Sequence, residues 1–291
     1  MLTGRGTATR VWVWMDVSGT CNLACRDCYT KQAHQNTLMS PVQFRHVLDK
    51  LSSGPISVAK LHLNWRGEPL TNKRLPEFLQ GRLDVLPLAP LEMHTNGILL
   101  NARMSKQIVA HSRSEDMFYV SIDGGNPVAH EANRGTDTWE PALRGLETLL
   151  DARDAASIDA PKVGIYEIHY GDRTRYDAKL IALSRRCDAW TRVLPIGSHG
   201  EESAFEAGEV PSGPCFWAGN SLAITSAGNV HICLLSFRPD GILGNIFDDD
   251  IYSILENARR FRSTLITSGR RSVSHCSVCR KTAGELDEPQ L

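Results

Sequence analysis

The 291 residues carry 32 Lys plus Arg against 33 Asp plus Glu, a formal net charge of -1. No global field therefore draws the chain to nucleic acid or anionic lipid, and a small-molecule partner is expected. The longest early apolar run, 11–15, is far below the ~20 residues of a membrane span, and no secretion signal is assembled, so a cytoplasmic protein without membrane contact is predicted.

In chain order, strand-like runs over 10–17, 58–64, 91–95, 117–122, 163–169 and 190–196 alternate with helical stretches. One of these, 40–51, opens with Ser40-Pro41, an N-cap followed by proline at the first helical position. This βαβα order predicts an α/β fold in which six strand–helix units form an open, partial (β/α)6 TIM barrel. Leu61, Leu63 and Trp65 alternate with His62, Asn64 and Arg66, and Leu91, Met93 and Thr95 with Glu92, His94 and Asn96. Phe118, Val120 and Ile122 alternate with Tyr119, Ser121 and Asp123; Tyr166, Ile168 and Tyr170 lie opposite Glu167 and His169. Covered parallel strands read as continuous apolar runs, so the repeated polar residues are expected to line a cavity at the strand C-termini.

Over 198–214 Gly, Ser, Glu and Pro predominate, which predicts a loop and a domain boundary near 205, dividing the chain into 1–205 and 206–291. In the second part, 220–225 and 229–234 flank Ser226-Ala227-Gly228, a hairpin signal, and 251–267 has helical spacing.

The cysteines fall in clusters, which in a cytosolic chain point to metal or redox work rather than disulfides. Cys21, Cys25 and Cys28 form a C-x3-C-x2-C run after the first strand. Three such thiolates can hold three irons of a [4Fe–4S] cube and leave the fourth iron open, whereas structural zinc favours four ligands in paired C-x2-C spacing. Cys215, Cys233, Cys276 and Cys279 suffice to saturate a second cube, which suits it to moving an electron; the alternative is a zinc ribbon, since Cys276-x2-Cys279 is also a zinc half-site. Cys187 follows Leu180 by seven residues and Leu183 by four, a spacing that predicts the buried stripe of an outer helix.

Further motifs follow in order: Asn64-Trp-Arg-Gly67-Glu68-Pro69, His94-Thr-Asn96-Gly97, Ser121-Ile-Asp123-Gly124, and Arg134. With the first cysteine run they make the sequence resemble the radical S-adenosylmethionine (SAM) superfamily over nearly the whole chain. The C-terminal cysteines, with Gly228-Asn-Val-His-Ile-Cys233 and Leu243-Gly-Asn-Ile246, resemble the twitch domain, the shortened relative of the SPASM domain. The resemblance implies S-adenosylmethionine and two [4Fe–4S] clusters as cofactors, with Cys21, Cys25 and Cys28 on the first cluster and Cys215, Cys233, Cys276 and Cys279 on the second. It places Gly67 and Glu68 at the methionine amino group, Asn96 in the adjoining motif, Ser121 and Asp123 at the ribose, and Arg134 at the methionine carboxylate, residue types that suit these groups. The family usually has an aromatic residue before the third cysteine, packing near adenine; here that residue is Asp27, with Tyr29 on the other side. Trp65 stands where glycine is commoner, and reads as packing.

In the family a 5′-deoxyadenosyl radical takes hydrogen from the substrate. A saturated second cluster that accepts the leftover electron favours two-electron oxidation. The cysteine layout and short length resemble the 2-deoxy-scyllo-inosamine dehydrogenase type of aminoglycoside antibiotic biosynthesis, and that resemblance implies an alcohol of a sugar or aminocyclitol as the group oxidised. An electron donor such as flavodoxin or ferredoxin is implied as partner. Glu167, His169 and Arg192 are read as lumen-facing groups that bind the substrate or deprotonate its hydroxyl. A redox-neutral sugar epimerase needs a thiol near the substrate, and the spare Cys187 is badly placed for that. Radical modification of a ribosomal peptide is a further alternative: many such relatives carry a leader-binding domain before the barrel, whereas 20 residues precede Cys21, yet a peptide could still enter the open barrel. A zinc-stabilised binding module is the non-catalytic alternative.

Overall fold

The computed structural model describes residues 9–26, 28, 30, 33–156, 159–169, 175–193, 210–211, 215–235, 239–274 and 276–279. Six parallel strands form the barrel part: β1 (Thr9–Met15), β2 (Ile56–His62), β3 (Leu91–Thr95), β4 (Met117–Ser121), β5 (Lys162–Ile168) and β6 (Ala189–Val193). Between them run α1 (Pro41–Ser53), α2 (Leu75–Val85), α3 (Ala102–Ala110), α4 (Pro127–Arg134), α5 (Trp139–Ala156) and α6 (Ala178–Ser184). The helix expected from Ser40-Pro41 forms for the expected reason: the Ser40 side chain accepts from the Gln43 N–H, and the Gln43 side chain accepts from the Ser40 N–H, a reciprocal capping box.

The C-terminal part continues the same sheet. After α7 (Phe216–Asn220), β7 (Ser221–Ile224) pairs parallel with β1; β8 (Asn229–His231) and β9 (Ile242–Asn245) then add antiparallel strands, giving the order β6-β5-β4-β3-β2-β1-β7-β8-β9. The final helix, α8 (Ile251–Ser268), is capped by Asp250, whose carboxylate accepts from the Tyr252 and Ser253 N–H groups. Its Arg262 donates to the Ala218 carbonyl at 2.9 Å, and Lys50 of α1 donates to the Ile246 and Asp249 carbonyls at 2.8 Å. Position 205 and most of 198–214 lie outside the described residues, as do 194–196 of the expected sixth strand.

The register sorts the strand side chains into two faces. Val13, Leu61, Met93, Phe118, Val120, Val163 and Ile165 are fully buried and share one core with Leu48, Phe78, Ile108 and Leu146 of the helices. The opposite face carries Trp12, Trp14, Lys60, His62, Glu92, His94, Tyr119, Ser121, Tyr166 and Thr191, linked pairwise across the parallel strands. This face lines the lumen, and the polar alternation of β2, β3 and β4 points there as the sequence predicts.

β5 and β6 depart from that expectation. Glu167 shares parity with Val163 and Ile165 and pairs in register with Arg192, itself in step with Trp190, so both lie on the helix-facing side. Glu167 is fully buried, accepting from the Trp190 indole N–H at 2.9 Å and from the Tyr176 hydroxyl, with Arg192 at 3.5 Å. His169 lies just past the end of β5, where its N–H donates to the Val193 carbonyl. The lumen residues of these strands are instead Tyr166 and Thr191. Cys187 also differs: α6 ends at Ser184, and Cys187 sits in the following turn, half-buried against the core, two residues before β6 begins. It therefore lies at the N-terminal end of the sheet, away from the cysteine loop that follows β1.

Candidate active site

The loop after β1 is held against the ends of three other elements. The Glu68 N–H donates to the Thr20 carbonyl at 2.7 Å, Asn96 donates to the Asn22 side chain at 2.8 Å, and the Arg26 N–H donates to the Asn133 carbonyl at 2.7 Å. Gly67 permits this contact: a Cβ there would lie 2.2 Å from the Ser18 carbonyl oxygen and 2.5 Å from that of Thr20. Cys21, Cys25 and Cys28 stand near enough to influence one another's ionisation. Burial pushes the Cys21 thiol up to about 12, while the Leu23 N–H donates to its sulfur. Cys25 is also raised by burial, against the pull of Arg134, which donates to its sulfur at 3.5 Å.

The acid of the glycine–glutamate–proline motif is fixed at the strand ends. Glu68 Oε1 accepts from the Thr95 hydroxyl at 2.6 Å and the Leu70 N–H at 3.1 Å; Oε2 accepts from the Asn96 N–H at 2.8 Å. Burial raises its pKa although these donors oppose the shift. Asp123 is paired with Arg134 at 2.9 Å and accepts from Asn133, and Arg134 also donates to the Ser121 carbonyl at 3.0 Å. Thus Gly67, Glu68, Asn96, Ser121, Asp123 and Arg134 surround the cysteine loop. Tyr29 and Asp27 lie outside the described residues.

The other four cysteines lie near one another in the C-terminal part. Cys215 precedes α7, Cys233 follows β8, and Cys276 and Cys279 follow α8. Burial pushes the Cys233 thiol upward, and the nearness of Cys215, Cys276 and Cys279 adds to the shift; the Leu235 N–H donates to its sulfur. None of the eight cysteines, all of them among the described residues, forms a disulfide. Buried thiols whose ionisation is disfavoured, each set with a backbone N–H aimed at a sulfur, fit a cationic iron–sulfur core, which ionises the thiols and accepts such bonds. Among the described residues, no three Cys, His, Asp or Glu converge as one metal ion would require.

Trp65 links the two cysteine sites, a role the sequence reading missed. Its indole donates to the Leu234 carbonyl at 2.8 Å, its ring meets His231 edge-on at 5.5 Å, and the Arg66 guanidinium stacks over it at 3.9 Å. Arg66 also contacts His231 at 3.2 Å, and its carbonyl accepts from Thr30, whose hydroxyl lies 3.3 Å from the Cys28 sulfur. The unusual Trp-Arg before Gly67 was the available signal.

Comparison with known proteins agrees with this geometry. The radical SAM superfamily profile matches residues 15–159, and an iron–sulfur cluster-binding SPASM profile matches 215–280. The chain belongs to the radical SAM superfamily: it is a radical SAM enzyme, using S-adenosylmethionine and a [4Fe–4S] cluster, with a SPASM-type domain for further iron–sulfur binding. It is 20% identical to the mycofactocin maturase MftC of Mycolicibacterium smegmatis over 95% of this chain and 78% of that protein. In fold it resembles BtrN in complex with AdoMet and 2-DOIA, with a TM-score of 0.61 and 18% identity, covering 93% of this chain and 92% of that one. It also resembles anSMEcpe with bound AdoMet and Kp18Cys peptide, with a TM-score of 0.64 and 13% identity, covering 93% and 88%. No helix among the described residues is long and apolar enough to cross a membrane.

Proposed function

We propose that the enzyme oxidises an alcohol carbon of a small polar substrate, an aminocyclitol or sugar, by two electrons, and that the second cluster takes the electron left after hydrogen removal. The observation that carries this reading is the nearness of Cys215, Cys276 and Cys279 to Cys233: four thiolates would leave one cube no open iron for substrate, which suits electron transfer. When bound, the first cluster and S-adenosylmethionine supply the hydrogen-abstracting radical. The chain's own part is to hold them. Cys21, Cys25 and Cys28 would ligate the first cluster, Glu68 would accept from the methionine ammonium, and Arg134 would turn from Asp123 to the carboxylate, freeing Asp123 for the ribose. The likeness to BtrN with 2-DOIA supports an aminocyclitol. Cys187 lies at the wrong end of the sheet to return a hydrogen atom, which disfavours epimerisation. A flavodoxin or ferredoxin is the proposed reductant.

A second reading, radical modification of a peptide, is supported by the likeness to MftC along 95% of the chain. Anaerobic incubation with ring-deuterated aminocyclitols and sugars separates the two. Deuterium in 5′-deoxyadenosine together with a ketone product supports oxidation; transfer from a peptide and from no sugar overturns it.

A further inference from the structure

With Glu167 and Arg192 on the helix side of the sheet, the lumen face offers another base for the hydroxyl proton. His94 stands there two residues before Asn96. Its Nε2 lies 2.8 Å from Glu92 Oε1, and Lys60 holds the other oxygen, Oε2, at 3.0 Å. The His94 N–H donates to the Asn64 side chain at 2.8 Å, which fixes the residue at the point where β3 approaches the cofactor motifs. Tyr119 of β4 and Tyr166 of β5 close around the ring with centroids at 4.9 and 4.6 Å, and Thr191 of β6 donates to the Tyr119 hydroxyl. His62 of β2, 3.7 Å from Glu92 Oε1, completes the surroundings and stacks flat on Trp14.

Glu92 is buried, yet the bond from His94 and the neighbouring His62 and Lys60 outweigh that burial and hold its carboxyl well below the usual range. A fixed anion behind an imidazole orients the ring. The His94 side chain is 21% exposed, and its Nδ1 makes no hydrogen bond to the described residues.

We propose that His94, positioned by Glu92, takes the hydroxyl proton of the substrate alcohol. The inference rests on the alcohol-oxidation reading above. The carbon gives its hydrogen atom to the S-adenosylmethionine-derived acceptor. The resulting hydroxyalkyl radical loses its O–H proton to His94 Nδ1 while one electron passes to the second cluster, and the C–O bond becomes C=O. One hydrogen atom, one proton and one electron are accounted for, and the alcohol has lost two hydrogens.

The test uses the reconstituted holoenzyme with deuterated 2-deoxy-scyllo-inosamine and compares wild type with His94→Ala, His94→Gln and Glu92→Gln. The expected result is a fall of about 100-fold in ketone formed per 5′-deoxyadenosine for both His94 variants, partial restoration of His94→Ala by added imidazole, and a smaller fall for Glu92→Gln. Binding of the aminocyclitol in the presence of S-adenosylmethionine, read by equilibrium dialysis, should stay within about threefold for His94→Gln, a tolerance below 1 kcal/mol. A wild-type ketone ratio in both His94 variants overturns the base role alone. Loss of binding in both, without imidazole rescue, assigns His94 to binding and overturns it as well. A wild-type enzyme that takes no deuterium from the aminocyclitol overturns the functional reading, and the base role with it.

Discussion

The indole nitrogen of Trp65 donates to the Leu234 carbonyl across 2.8 Å, so the side chain two residues before Gly67 is bonded to the residue that follows Cys233. The cofactor motif and the second cysteine set are thus in direct contact. Trp65→Phe keeps the ring and removes the donor, at a cost of about 1 kcal/mol of stability. Because groups bonded around a cluster loop tune its potential, the variant is expected to retain its iron and its affinity for S-adenosylmethionine while the second cluster's EPR signal and midpoint potential shift. Redox titration followed by EPR measures this, and an unshifted second cluster would limit Trp65 to packing.

Gly67→Ala is expected to disable the first site. The added carbon would meet backbone oxygens of Ser18 and Thr20, at 2.2 and 2.5 Å, which cannot turn aside as a side-chain tip can. The cysteine loop must move, so iron content should fall toward half and S-adenosylmethionine binding should be lost while the second cluster persists. Iron and sulfide analysis with equilibrium dialysis reads both.

Asp16 gives a pH-dependent prediction. It is buried, its Oδ1 accepts from the Arg66 N–H at 2.7 Å, and burial pushes its carboxyl from 3.8 up to about 7. The folded chain therefore keeps a proton between these values that the unfolded chain has released. The resulting stability is full below the unfolded pKa and is lost as pH rises through the folded one, with a slope of up to about 1.4 kcal/mol per pH unit. Burial lowers His62 to about 3 and His130 to about 4, which acts in the opposite sense, but both histidines remain in an Asp16→Asn variant and cancel in the difference. Between about pH 5 and 7.5, Asp16→Asn should therefore gain about 2–3 kcal/mol relative to wild type in urea unfolding. A difference independent of pH would contradict the assignment.

Arg82 and Asp116 form an ion pair with side chains 0% and 1% exposed, and Asp116 also accepts from the Leu91 and Arg113 N–H groups. Asp116→Ala strands the guanidinium and two backbone donors and should cost about 3–5 kcal/mol, seen as a large drop in melting temperature. Arg82→Met with Asp116→Asn, which removes both charges, should recover much of the loss.

The cysteine spacings and the motif order were legible in the sequence because metal ligands and tight turns tolerate few residue types. The six strands were legible from period and alternation. The lumen residues of β5 and β6 were not, because polarity was read as direction. Parity was the better guide: Val163 and Ile165 point to the helices, so Glu167, two residues on, must as well, and its polar atoms are satisfied there by Trp190 and Tyr176. Thr191 carried no signal of its own and is identified by its register with Tyr166. Cys187 fitted a helical spacing, but α6 stops at Ser184, since no local pattern records where a helix meets the next strand. The pairing of β7 with β1 is a long-range contact that neither strand announces.

The most direct test is EPR of the anaerobically reconstituted, reduced protein carrying Cys215→Ala, Cys233→Ala, Cys276→Ala and Cys279→Ala, recorded with and without S-adenosylmethionine. The account predicts about four irons and four sulfides per chain and a spectrum that changes when S-adenosylmethionine is added, with both lost on further Cys21→Ala substitution. Stoichiometric zinc without sulfide, or a cluster spectrum indifferent to S-adenosylmethionine, would contradict it.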